Sequence, residues 1–377
     1  MSENFNGKDY GEYFRSLEKK LAASGGRTEP EPGKANSARS EKSKGVKYRV
    51  IHIRPKAFIF AFILIFVIAA AVITVPVITS GKGKNAQPQS GNVSNIRKDS
   101  GETEENNTGI IYSFSDETAE IPESNDSEAA IVVNTSTHEI VAARNAHERL
   151  YPASTAKIMT LIVASENITD YSDTFTMTLD ITDPLYVAGA SVAGFLKDEI
   201  ISMTDLLYGL ILPSGADAAM GLAEKISGSE SDFVNLMNEK AEELGLEDTH
   251  FSNSSGLFDS EQYTSAYDMA IILETAIQDP LRRKILSTYQ YTTAPTPQHP
   301  EGIALSSTLF DYMYGTEPET ATIQGGKTGF INEAGYCIAS YGANNTTGNE
   351  YIVVTLKNSS RNPAIFGQID LYKQFAE

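Results

Sequence analysis

Hydrophobic positions are spread unevenly along this chain, and their spacing divides it. Residues 57–79 (AFIFAFILIFVIAAAVITVPVIT) carry no charge over 23 positions, long enough to cross a bilayer as a helix. Both flanks are poor in apolar residues: 23–46 are rich in Gly, Ser, Pro, Lys and Glu, and 80 to about 125 in Ser, Gly, Asn and Glu. Such composition predicts unfolded polymer, the second stretch serving as a flexible linker. Ahead of them, Tyr13, Phe14, Leu17 and Leu21 outline a short helix within 1–22.

Sustained patterning starts near Glu128. Residues 130–134 and 140–144 read as the strands of a hairpin. From Ser154, the apolar side chains Ile158, Met159, Leu161, Ile162, Val163 and Ala164 predict a helix to about Glu166. It is apolar nearly all round and so belongs in the core. A strand is expected over 173–182. Thr204 is the expected N-cap of a helix over 205–212 that Pro213 stops, and 218–226 form an alanine-rich helix. Ser229 with Asp232, and Ser265 with Asp268, resemble capping boxes; the helices they open end at Gly245 and near Gln278. Strands at 336–341 and 351–356 and a helix over 363–375 close the chain. Strands at both ends with helices between them predict an α+β body, an antiparallel sheet beside a helical cluster.

Charge sharpens the division. The net charge of −19 conceals 13 basic and 7 acidic residues in 1–56, against 17 basic and 42 acidic in 80–377. Lys42, Lys44, Lys47, Arg49, Arg54 and Lys56 crowd the N-terminal side of the apolar run. The positive-inside rule then puts the N-terminus in the cytoplasm and the acidic body outside. A cleaved leader is the alternative, but 56 preceding residues and the length of the run favour a retained single-pass anchor. A body of net charge −25 repels nucleic acid. The single cysteine, Cys337, leaves no internal disulfide and no cysteine-based metal site.

Ser154 and Lys157 stand three residues apart at the head of the central helix, on one face with Cβ atoms about 5–6 Å apart. A hydroxyl beside an amine held in an apolar core makes an activated nucleophile. The same spacing also suits a capping serine and a lysine that reaches solvent, and Ser16 with Lys19 repeats it in a polar segment. Lys327-Thr328-Gly329 offers a cation and a hydroxyl to a carboxylate, with glycines that admit a ligand backbone. An ordinary hairpin turn has the same composition. A phosphate-binding P-loop is excluded, because Ala321 stands where its first glycine belongs and a strand follows. Scattered histidines (His52, His138, His147, His250, His299) and the lack of a nucleophile-elbow motif disfavour a Ser-His-Asp hydrolase.

Together, Ser154-x-x-Lys157, Ser214 between two helices and Lys327-Thr328-Gly329 resemble the signature of penicillin-binding proteins and serine β-lactamases. The longer strings YPASTAK (151–157), LLYGLILPSGADAA (206–219) and GGKTGFINEAGYC (325–337) are similar to the low-molecular-mass D-alanyl-D-alanine carboxypeptidases over about 127–377. The resemblance implies a penicillin-binding/serine β-lactamase-like transpeptidase fold, an antiparallel sheet plus a helical subdomain, behind the N-terminal transmembrane helix. The expected organisation is a cytoplasmic segment 1–56, the membrane helix 57–79, an extracytoplasmic linker 80–126 and a carboxypeptidase-like domain 127–377.

By that resemblance the substrate is a peptidoglycan stem peptide ending in D-Ala-D-Ala, and β-lactams are covalent inhibitors. Ser154 attacks the carbonyl between the two D-alanines. Lys157 takes its proton, which requires a pKa well below ≈10.4; burial and a nearby Lys327 both act that way. Ser214 relays a proton to the leaving D-alanine. Lys327 and Thr328 hold the terminal carboxylate, with Gly329 and Phe330 completing the substrate-binding strand. The backbone N–H groups of Ser154 and Phe330 form an oxyanion hole. No metal or cofactor is required, and the expected location is the bacterial cell membrane. Two departures stand out: Ala216 occupies the place of the asparagine usual in the second motif, and the sequence stops after the last helix of the catalytic domain. Ala216 motivates a competing reading, a non-catalytic or weakly active cell-wall recognition protein. A serine β-lactamase is the other alternative, disfavoured by the Leu-Pro-Ser-Gly wording and the anchor.

Overall fold

The structure, a computed structural model, describes residues 109–377. The expected features at 1–22, 23–46 and 57–79, and residues 80–108 of the linker, lie outside the described residues. Among the described residues no helix is long and apolar enough to cross a membrane.

In chain order the elements are β1 (Ala119–Glu120), β2 (Ala129–Asn134), β3 (Glu139–Arg144), a 3₁₀ turn (Ala153–Ala156), α1 (Lys157–Asn167), β4 (Thr174–Thr176), α2 (Leu179–Val187), β5 (Ile200–Ser202), α3 (Met203–Ile211), α4 (Ala216–Ser227), α5 (Glu230–Glu243), α6 (Ala266–Gln278), α7 (Pro280–Leu286), β6 (Gln290–Thr292), β7 (Ala304–Ser306), α8 (Thr308–Met313), β8 (Ala321–Ile331), β9 (Gly335–Asn344), β10 (Glu350–Asn358) and α9 (Arg361–Phe375). Six strands form one sheet in the order β1-β3-β2-β10-β9-β8. Strands from the N- and C-terminal parts of the described residues meet at its centre, where β10 pairs antiparallel with β2. All pairings in this sheet are antiparallel except β1 with β3.

Both faces of the sheet are covered, which explains why its strands are continuous apolar runs rather than alternating ones. Ile131, Val133, Ile352 and Val354 enter the core shared with α1 and α6. Ala130, Val132, Tyr351 and Val353 pack on the opposite side with Leu371 and Tyr372 of α9. Helix α1 is buried from Lys157 to Ala164 and is flanked by α3, α4, α5 and α6. It is the central helix expected from its pattern.

Several boundaries differ from expectation. Only Thr174–Thr176 of the 173–182 strand is extended; α2 follows, with Pro184 inside it. A proline in a nine-residue stretch reads as a breaker, and at the sixth position Pro184 removes the N–H that would donate to Asp180 O, yet the helix runs on to Val187. The cap of α3 is Ser202, whose side chain accepts from the Asp205 N–H, rather than Thr204. Thr204 instead donates its hydroxyl to Tyr171 O at 3.1 Å. Helix α4 begins at Ala216, two residues before its expected start. Ser229 and Ser265 do cap α5 and α6, each accepting from the N–H three residues on.

The packed body also reaches further toward the N-terminus than residue 127. Tyr112 is buried and its hydroxyl donates to Glu274, while Ile121 is buried against α9. Single apolar anchors in a polar stretch are enough to dock it. Averaged composition hides them.

Candidate active site

The 3₁₀ turn sets the geometry of the first motif. In a 3₁₀ turn residues i and i+3 eclipse, so Ser154 lies directly over Lys157, the first residue of α1. Lys157 Nζ is 3.0 Å from Ser154 Oγ. Ser154 does not cap the helix: at its N-terminus it is Thr155 whose hydroxyl turns back to Pro152 O at 2.6 Å. Nor does Lys157 reach solvent, being only 2% exposed. Its ammonium also donates to Ser255 O, from the loop joining α5 to α6.

Burial lowers the Lys157 pKa to about 7, against the opposing pull of the Asp217 carboxylate. Part of the lysine population is then neutral near neutral pH, and a neutral amine can accept a proton. Lys327, on β8, is 1% exposed. Burial first, and then the charge of Lys157, hold its pKa well below the usual lysine value. The expected mutual repulsion is therefore seen on Lys327, while burial governs Lys157.

The Lys-Thr-Gly triplet is inside β8, not ahead of a strand as its sequence context suggested; Gly329 pairs with Cys337 and Phe330 with Tyr336. Lys327 Nζ donates to Thr328 O at 2.8 Å. Thr328 Oγ1 is 2.7 Å from Thr308 Oγ1 at the start of α8. Strand β8 is an edge strand and lies against the 3₁₀ turn. A Cβ on Gly329 would stand 2.9 Å from Ser154 N and 3.1 Å from Pro152 O, so glycine permits the approach. Phe330 is 49% exposed and stacks on Tyr336 with ring centroids 4.3 Å apart.

Ser214 sits between α3 and α4 in the left-handed region, at φ 65°, and is buried. Backbone bonds pin this connection: Gly215 N donates to Gly209 O at 2.9 Å and Ala216 N to Ser191 O at 2.8 Å. No hydrogen bond joins Ser214 to Ser154 or Lys157 among the described residues. Asp217 stands in the first turn of α4, where an acidic side chain commonly meets the helix's own N–H groups. Its carboxylate instead takes the N–H groups of Ala193, Gly194 and Phe195 at 2.7, 3.0 and 3.2 Å, as well as Ala218 N at 2.9 Å. This clamp fixes the loop after α2 against the second motif.

Sequence reasoning missed the Ser255 carbonyl, Thr308 and the Asp217 clamp. The sole signal for the first was Asn-Ser-Ser-Gly at 253–256, a turn composition. Gly256 adopts φ +78°, and a Cβ there would fall 2.0 Å from Ala153 O. The loop thus presses directly on the turn that carries Ser154.

A serine over a buried lysine, an edge strand carrying Lys-Thr-Gly against that serine, and a sheet-plus-helices body together define the penicillin-binding DD-peptidase class of fold. The crystal structure of the Streptomyces K15 DD-transpeptidase matches with a TM-score of 0.58 at 26% identity, over 66% of this chain and 97% of that one. Penicillin binding protein 5 from Haemophilus influenzae matches with a TM-score of 0.60 at 27% identity, over 67% and 71%. The sequence profile of the D-alanyl-D-alanine carboxypeptidase family matches residues 116–360. The chain belongs to that family. It is similar to the D-alanyl-D-alanine carboxypeptidase DacF of Bacillus subtilis (31% identity; 57% of this chain, 54% of the relative). It is also similar to DacD of Escherichia coli (33%; 55% and 52%) and to the D-alanyl-D-alanine carboxypeptidase of Streptomyces sp. (30%; 62% and 80%). The chain spans about half the length of the first two relatives.

Proposed function

We propose that this protein is a serine D-alanyl-D-alanine carboxypeptidase that removes the terminal D-alanine from peptidoglycan stem peptides. The observation that carries the reading is the 3.0 Å contact between Ser154 Oγ and a Lys157 amine that burial has brought to a pKa of about 7. In the proposed reaction neutral Lys157 takes the Ser154 proton as Oγ attacks the carbonyl carbon of the penultimate D-alanine. The N–H groups of Ser154 and Phe330 receive the negative charge on the carbonyl oxygen. Lys327 and Thr328 hold the terminal carboxylate. As the amide C–N bond breaks, the proton passes from Lys157 by way of Ser214 to the leaving amine. Water then attacks the ester carbon as Lys157 accepts its proton, and Lys157 returns that proton to Ser154 Oγ as the ester C–O bond breaks, freeing the shortened peptide. β-Lactams acylate the same hydroxyl.

Release of free D-alanine from a D-Ala-D-Ala pentapeptide, together with gel labelling by fluorescent penicillin, tests this. Wild-type protein should do both, and Ser154→Ala should do neither while keeping its fold; Ser16→Ala should match wild type. Retained labelling in Ser154→Ala would remove Ser154 as nucleophile. Ala216 supports a second reading, a recognition protein that binds penicillin without turnover. Labelling without D-alanine release would favour it, and rapid penicillin hydrolysis would favour a β-lactamase.

The same proposal includes a single-pass anchor at 57–79 with residues 80–108 as spacer, supported by the uncharged run and the charge step across it. Protease added to intact cells should then digest the body and spare 1–56. A protected body would reverse the orientation.

A further inference from the structure

The loop beneath Lys157 is built around one side chain that the proposed chemistry does not use. Asn253 Oδ1 accepts from Gly256 N at 2.8 Å, Ser255 N at 3.2 Å and Ser255 Oγ at 3.1 Å, and Asn253 Nδ2 donates to Leu257 O at 3.0 Å. Gln262 backs it, with Oε1 accepting from Ser252 N and Asn253 N, both at 3.2 Å, and Nε2 donating to Leu257 O at 3.1 Å. Glu230 of α5 fixes Ser254 through its N–H at 3.0 Å and its hydroxyl at 2.7 Å. This scaffold turns two successive carbonyls toward α1. Thr160 Oγ1 donates to Ser254 O at 2.7 Å, and Lys157, one turn earlier, donates to Ser255 O.

The second bond bears on how the amine works. A neutral amine has two N–H bonds and one lone pair. Turning freely about Cε–Nζ, it would aim the lone pair at Ser154 in about one of three staggered settings. Committing one N–H to a fixed carbonyl anchors Nζ and excludes one of the three settings, so that the lone pair faces Ser154 Oγ in one of the two that remain. We propose that Asn253 is a positioning residue for acylation: it holds the Ser255 carbonyl so that the Lys157 amine directs its lone pair at Ser154 Oγ. Asn253 acts through the loop backbone and touches neither the nucleophile nor the substrate. The inference rests on the acyl-transfer reading above. It goes beyond an ordinary turn-stabilising role, which would alter how much protein is folded but not the rate at each working site.

The test uses the full chain as wild type, Asn253→Ala, Asn253→Asp and Thr160→Val, with fluorescent penicillin as probe. The labelling endpoint counts working sites, and the rate constant is followed across about pH 5–9. The charged group acting on Lys157 is Asp217 of α4, which raises its pKa; Lys327 of β8 feels the charge of Lys157, and Glu230 of α5 binds the loop at Ser254. Per working site, Asn253→Ala should label about 10- to 100-fold more slowly, and Thr160→Val less than about tenfold more slowly. Asn253→Asp keeps the acceptor oxygens for Ser255 and Gly256 but adds an anion behind the Ser255 peptide. Its alkaline rate should recover to within a few-fold of wild type, and its acid limb should move to higher pH, because an anion favours the ammonium. Wild-type rates and an unchanged pH profile at every working site would overturn the inference, whatever the endpoint. Should Asn253→Ala fail to fold, Asn253→Asp and Thr160→Val decide in the same way. Absence of label in wild-type protein would instead defeat the acyl-transfer reading itself.

Discussion

Lys157 and Lys327 are two buried lysines in one site, 2% and 1% exposed, and the charge of the first depresses the pKa of the second. Burial is the larger cause at both. A carboxylate arriving beside Lys327 reverses that balance, because an opposite charge favours the ammonium. Binding of a D-Ala-D-Ala peptide to Ser154→Ala protein should therefore take up protons above neutral pH. Calorimetry in buffers of different ionisation enthalpy measures this. Proton release on binding would remove Lys327 as the carboxylate's partner.

Lys157 links activity to stability with a definite sign. Acylation needs the neutral amine, so the labelling rate should rise with pH through about 7, the lowered pKa. In the unfolded chain the lysine titrates near its ordinary value, so between about 7 and 10.5 the unfolded state holds more protons. Stability contributed by this group should rise with pH across that window. Lys157→Met removes a charge-state penalty on the order of 4–5 kcal/mol at pH 7. It also strips Ser255 O of a donor, a loss of about 1–3 kcal/mol. Lys157→Met should thus raise the melting temperature by several degrees and abolish labelling. A lower melting temperature would show that the amine stabilises the fold.

Gly256→Ala tests the pressure of the loop on the nucleophile turn. At φ +78° its Cβ would meet Ala153 O at 2.0 Å, so either the loop or the turn must move. Strain of this kind costs about 1–3 kcal/mol even before the clash. A lower denaturation midpoint together with slower labelling is expected. A midpoint equal to that of wild type would contradict the packing.

Ala216→Asn tests the departure in the second motif. The missing amide represents one neutral hydrogen bond, about 0.5–1.5 kcal/mol, or roughly a threefold to tenfold effect. Losing a general base costs about 10²–10⁴. D-Alanine release should therefore shift by no more than about tenfold. An inert wild type that Ala216→Asn switches on would mark the protein as a recognition module.

Local relations were readable in the sequence because they depend on residues three or four apart. Ser229 and Ser265 cap their helices as their Ser-x-x-Asp spacing predicts, and Ser154 meets Lys157 because both an α and a 3₁₀ path bring i and i+3 together. The buried α1 follows from its all-round apolar face. Tertiary structure decided what no local spacing encodes. Between Ser202 and Thr204 the same hydroxyl chemistry was available two residues apart, and packing against Tyr171 diverted the threonine. Asp217 reads as a helix cap, yet its carboxylate spans more than twenty residues to three N–H groups whose direction only the fold sets. The Ser255 carbonyl was invisible for a simpler reason: every residue carries one, and only the seating of its loop against α1 selects it for Lys157. Whether Ser154 caps or reacts turns on the burial of Lys157, and that desolvation is supplied by elements far from it in the chain.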